Sequence, residues 1–140
     1  MTRLARSPLA AGALLAALAF AGCGAESPDL FVLTRTGTIP GARLTLLVND
    51  SGTVRCNGGK ARPITDPELL AARDVATSIS DDAKKGLVLP APPGSILRFH
   101  VRSQDGTVTF SDVDAGKRKE LAKVVQFART VAIGVCGLAR

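Results

Sequence analysis

The chain has 140 residues, 46% of them apolar and 21% charged, and a net charge of +6, the size and balance of one folded domain. Five Phe with no Trp or Tyr offer no row of aromatic platforms for bases to stack on, so nucleic acid is set aside as a partner. A single His and the absence of H-E-x-x-H and G-x-S-x-G exclude the familiar zinc-protease and serine-hydrolase constellations, and the chain reads as a non-enzyme.

Arg3 and Arg6 precede an uncharged run from Leu9 to Cys23, rich in Ala and Leu. A basic start, an apolar run and small residues at its end form an export signal. The run is shorter than the ~20 residues a membrane span needs. Its ending, Phe20-Ala21-Gly22-Cys23, resembles a bacterial lipobox, although Leu is commoner where Phe20 stands. That resemblance implies cleavage before Cys23 and lipidation of its thiol. Ala19-Phe20-Ala21 also fits the small-x-small pattern of an ordinary secretory cut. The expected organisation is a signal peptide over residues 1–22, a lipid-attached tether over 23–29 and a single α+β domain over 30–140. The protein is then exported and anchored in the membrane on the outer side of the cytoplasmic membrane, or secreted if the ordinary cut is used. Without Arg3 and Arg6, sixteen basic residues face twelve acidic ones, a mild excess of four.

Lipidation of Cys23 leaves Cys56 and Cys136, 80 positions apart. An even pair in an oxidising compartment is expected to form a disulfide. Buried free thiols are the alternative. A metal site with His100 lacks both the usual ligand spacing and a fourth ligand. No metal or cofactor is expected.

After the tether, Leu30 to Thr36 reads as a strand and Thr36 to Gly41 as a glycine-punctuated loop. Arg43 to Asn49 is a second strand, with Leu44, Leu46 and Val48 on one face and Arg43, Thr45, Leu47 and Asn49 on the other. Asn49-Asp50-Ser51-Gly52 turns the chain, and Thr53 to Asn57 returns with Val54 and Cys56 on one face. Thr65 or Asp66 caps a helix with Pro67 in its first turn; Leu69, Ala72, Ala76 and Ile79 share a face. Ser80 to Gly86 adds one further turn. Pro90-Ala91-Pro92-Pro93-Gly94 is an extended connection. Ser95 to Ser103 alternates Leu97, Phe99 and Val101 against Arg98, His100 and Arg102; Gln104-Asp105-Gly106 turns it, and Thr107 to Asp112 pairs back. A helix from about Ala115 to Ala139 closes the chain. The order is β-β-β-α-β-β-α, an antiparallel sheet with two helices packed on one face and the other face wet.

Chemistry-bearing groups are sparse. Gly58-Gly59-Lys60 has part of a phosphate loop without its upstream glycine or following hydroxyl. Two surface features stand out. Arg98, His100 and Arg102 make a cationic row on a wet strand face, suited to an acidic partner or simply to a soluble, charged sheet face. Ile39 sits at the centre of a glycine-flanked loop, either as an exposed anchor for a partner or as a lid folded onto the core. Lys117 to Lys123 extends the positive charge toward a partner or toward anionic headgroups.

The stretch Phe31-Val32-Leu33-Thr34-Arg35-Thr36-Gly37-Thr38-Ile39-Pro40-Gly41-Ala42-Arg43 resembles the opening strand and glycine loop of emfourin-type proteins. The likeness continues through the helix at Asp66, the proline-rich Pro90 to Gly94, the Phe99 strand, the Asp105-Gly106 turn and the last helix, covering about Leu30 to Phe127. Thr38 stands where the family often has a second Gly; the lipobox, Cys56 and Cys136 are additions to the family pattern. The family includes small inhibitors of thermolysin-like metallopeptidases built on a compact antiparallel sheet with helices. The resemblance implies a protein partner, a metallopeptidase or another envelope component, bound by an anchored domain. The alternative is an accessory envelope lipoprotein without inhibitory action.

Overall fold

A computed structural model describes residues 24–138. The signal segment 1–22 and the lipidation expected at Cys23 lie outside the described residues. The elements are β1 (Asp29–Gly37), β2 (Leu44–Asn49), β3 (Thr53–Cys56), β4 (Ala61–Pro63), α1 (Asp66–Ser78), α2 (Ser80–Lys84), β5 (Leu97–Ser103), β6 (Gly106–Ser111), α3 (Asp112–Ala115) and α4 (Lys119–Gly134). All six strands join one antiparallel sheet in the order β4-β3-β2-β1-β5-β6.

The α+β class and antiparallel sheet expected from the alternation are present, with a richer element order. β4 adds a fourth strand before α1, pairing Thr53 with Pro63 and Val54 with Arg62. Its three residues are all exposed, so no hydrophobic period announces it. The last helix, expected from about Ala115 to Ala139, runs only from Lys119 to Gly134, and a separate short helix precedes it over Asp112–Ala115. A capping box between Ser111 and Asp114 starts the four-residue α3. Arg118 then adopts an extended backbone (φ −133°, ψ 120°) before α4 begins. That bend places the Arg118 guanidinium 2.8 Å from Asp82 and 2.7 Å from Glu120, a tie from α4 to α2 that helical periodicity does not encode. At α1, Thr65 is the cap and Glu68 closes the capping box, with Pro67 in the first turn.

Alternation decides which face is covered. Phe31, Leu33, Leu44, Leu46, Val48, Phe99, Val101, Val108 and Phe110 are buried on one side of the sheet. Ala72 and Val75 of α1 and Leu121, Val124, Phe127 and Val131 of α4 complete that core. Phe31 meets Phe127 edge-on at 5.6 Å between ring centres, and Phe99 stacks on Phe110 at 5.2 Å. Complete burial of each such side chain is worth roughly 1.5–3 kcal/mol. Cys56 and Cys136 form a disulfide with Cα atoms 5.8 Å apart, joining the end of β3 to the turn after α4. Among the described residues, no helix is long and apolar enough to cross a membrane.

Candidate partner-binding site

The loop between β1 and β2 is held by its own residues. Arg35 shares the inward parity of Phe31 and Leu33, so its side chain reaches the core side where the sheet ends. Its Nε donates to Ala42 O at 2.8 Å and its Nη2 to Gly41 O at 3.1 Å. Burial lowers the Arg35 pKa from its usual value, and the guanidinium remains a cation. Thr38 N donates to Ile96 O at 3.1 Å, and Ala42 N to Ile39 O at 3.2 Å. Gly37 permits this approach: a Cβ there would stand 2.3 Å from Ile96 O.

A cleft of about 320 Å³ opens between this loop and α4. Leu97 and Phe99 contribute to its lining from the sheet, Ile39 from the loop, and Val125, Arg129 and Ile133 from α4. Ile39 is 42% exposed, so it neither projects freely nor seals the core. A larger cleft of about 470 Å³ lies near the tether and the β2–β3 turn, and several of its polar groups are paired within it. There Arg73 pairs with Asp50 at 2.7 Å and Ser80 donates to Asp105 at 2.7 Å.

The Arg98, His100, Arg102 row is divided by its surroundings. Leu87 to Leu89 runs beside β6: Leu89 N donates to Thr109 O and Thr109 N to Leu87 O, both at 2.8 Å. Arg98 is drawn to this edge, where its Nη2 donates to Leu89 O at 2.8 Å; its Nη1 is buried with no partner among the described residues. His100 Nδ1 and Thr109 Oγ1 are 2.9 Å apart. His100 and Arg102 are exposed, whereas Arg98 is half-buried. The row is one strand's alternation and not one cluster. Ile39 belongs to the cleft on the helix side, apart from it.

Arg35 and Arg55 were not singled out by sequence reasoning. Arg35 falls on the same side of the strand alternation as Phe31 and Leu33, which signals a cation aimed inward. Arg55 lies between Val54 and Cys56 and so faces away from the core. Among the described residues, no group of three or more His, Cys, Asp or Glu is placed to hold a metal ion. Comparison of the chain with protein-family models, with curated proteins and with solved structures finds no match.

Proposed function

We propose that the mature chain is a non-catalytic exported domain, anchored through Cys23, that binds a protein partner at the cleft beneath Ile39. The observation that carries this reading is a half-exposed aliphatic side chain on a loop already fixed by Arg35 and by the Thr38 to Ile96 hydrogen bond. An anchor held in place before binding loses little freedom on docking, and a few side chains buried at the centre of an interface carry most of its affinity. The cleft's sides are apolar apart from the cations Arg35 and Arg129, which suits an apolar side chain flanked by a carboxylate.

The emfourin-type resemblance supplies the partner class to test first, a thermolysin-like metallopeptidase. Peptide hydrolysis by such an enzyme is measured while the mature protein is titrated in. The reading expects stoichiometric loss of activity, relieved by Ile39→Asp in a protein that keeps its thermal transition. Full activity at a molar excess of the native protein rejects inhibition.

A further inference from the structure

We infer that the uncovered face of the sheet docks on anionic lipid headgroups and turns the helices and the Ile39 cleft away from the membrane. The first observation is where the ion pairs lie. Arg73–Asp50, Lys84–Asp81, Arg118–Asp82, Arg118–Glu120 and Lys123–Asp74 are the ion pairs among the described residues, and each includes a residue of a helix or of the Arg118 bend. Arg43, Arg55 and Arg102 are exposed and belong to none of these pairs, and the same holds for Lys85, Lys117, Lys119 and Arg129 on the helix side. What sets Arg55 and Arg102 apart is the register that puts them on one flat face. Arg55 makes only a long 3.4 Å bond to Gly59 O.

The second observation is the register. Arg55 lies opposite Leu47, Leu47 opposite Val32, and Val32 opposite Arg102. Three strand spacings of ~4.8 Å separate the two arginines by about 14 Å. Half-buried Leu47 and Val32 lie between them. The next row holds Thr45, Thr34, His100 and Thr109. This is a broad surface with cations on either side of an apolar centre and hydroxyls alongside, the chemistry of a headgroup layer rather than of a deep pocket.

The third observation is where the tether leaves. Asn49 Nδ2 donates to Ser27 O at 2.7 Å, and Asp50 N to Pro28 O at 2.9 Å. Glu26 and Ser27 line a cleft of about 390 Å³ with Leu47, Thr53 and Arg55, residues of the uncovered face. The chain therefore emerges beside Arg55. Glu26 and Asp29 are the carboxylates at this end, and Asp29 accepts from Asn49 Nδ2 at 3.0 Å. Four residue steps from Cys23 to Ser27 span at most about 14 Å, little more than the ~8–10 Å Debye length at physiological salt. An anchor at Cys23 thus holds the arginines within reach of the surface potential. The orientation rests on that anchor; the affinity of the face does not.

The test uses the mature chain from residue 23 with Cys23→Ser, so that no lipid contributes. It is sedimented with vesicles of equal parts phosphatidylglycerol and phosphatidylcholine, and with phosphatidylcholine alone, at low salt. Binding is expected on the anionic vesicles only, and it should weaken as salt rises. At about fivefold per arginine, Arg55→Glu with Arg102→Glu should lower binding at least tenfold. Lys117→Glu with Lys119→Glu, the same charge change on the helix side, should lower it less than threefold. Equal loss in the two double variants, greater loss in the lysine pair, or no binding to anionic vesicles at low salt overturns the docking face, whether or not Cys23 is lipidated. For the lipidated protein on the same vesicles, arginine-directed labelling should spare Arg55 and Arg102 and modify Arg129. The reverse pattern overturns the orientation, and an unmodified Cys23 in the mature protein removes the anchor without touching the vesicle result.

Discussion

The two faces of this sheet are built from the same strands and have opposite fates. On the covered face, alternate residues are aliphatic or aromatic and pack against α1 and α4. On the other, Thr34, Thr45, Arg55, His100, Arg102 and Thr109 take the opposite side of the alternation. The covered face has a thermodynamic reason for nearly every residue, since apolar burial drives folding. The uncovered face needs only to be soluble, which threonines alone would satisfy. Its arginines outside any ion pair, Arg55 and Arg102, are charges that apolar burial does not account for. The Ile39 cleft sits at the border, where the covered face runs out beyond the end of β1 and only a loop and α4 remain.

Substitutions separate these roles by size of effect. The largest is expected on the covered face. Phe99→Ala removes the ring stacked on Phe110 and should cost about 3–5 kcal/mol in denaturant unfolding. Reducing the Cys56–Cys136 bond should cost on the order of 4 kcal/mol in the chain-entropy model, because the loop spans 80 residues. The two losses should be separable, since the bond lies at the edge of the core and the Phe pair within it. A Phe99→Ala protein as stable as the native one would show that the helix layer does not depend on this pair.

Gly106 joins the covered core to α2. Its φ is +137°, and a Cβ there would stand 2.2 Å from Ala83 O, a backbone atom. Gly106→Ala should cost at least about 2 kcal/mol and speed amide exchange at the β5–β6 turn. Exchange unchanged at that turn contradicts the close approach.

Smaller effects are expected at the Arg118 bend. Glu120's carboxyl is held below its usual range, chiefly by a hydrogen bond from its own backbone, with Arg118 adding to this against the opposing effect of burial. A depressed native pKa means that the unfolded chain binds the proton first as pH falls. The contribution is present above the unfolded pKa and is lost as pH drops through the native one. Glu120→Gln should therefore flatten the acid limb of stability while lowering neutral stability by no more than about 1 kcal/mol, because the pair is partly exposed. An unchanged acid limb removes Glu120 from that role. Least of all, Arg55→Ala on the uncovered face should alter stability by no more than about 0.5 kcal/mol.

The legible part of the fold follows the same division. β1, β2, β5, β6 and α1 are readable because their apolar positions repeat with period 2 or 3.6, and the Thr65 to Glu68 capping box is written in the sequence. β4 is not readable: its three residues bury nothing, and pairing with β3 creates it. The bend at Arg118 is invisible to periodicity because Asp82, its partner, is 36 positions away. At the candidate site, Ile39 was legible as an aliphatic residue in a glycine loop, but the cleft beneath it depends on how α4 crosses the sheet end. The cationic row was legible on β5 alone. The docking of Leu89 onto β6, which draws Arg98 aside, is a tertiary event.

Hydrogen exchange on a complex between the mature protein and a thermolysin-like metallopeptidase tests the central claim most directly. The account predicts slowed exchange over the Thr38 to Ala42 loop and the last turns of α4 around Arg129 to Ile133, with β3 and β5 unchanged on the uncovered face. It also predicts that the complex survives high salt and is lost with Ile39→Asp. Protection confined to the uncovered face, or a complex indifferent to Ile39→Asp, would contradict partner binding at the cleft.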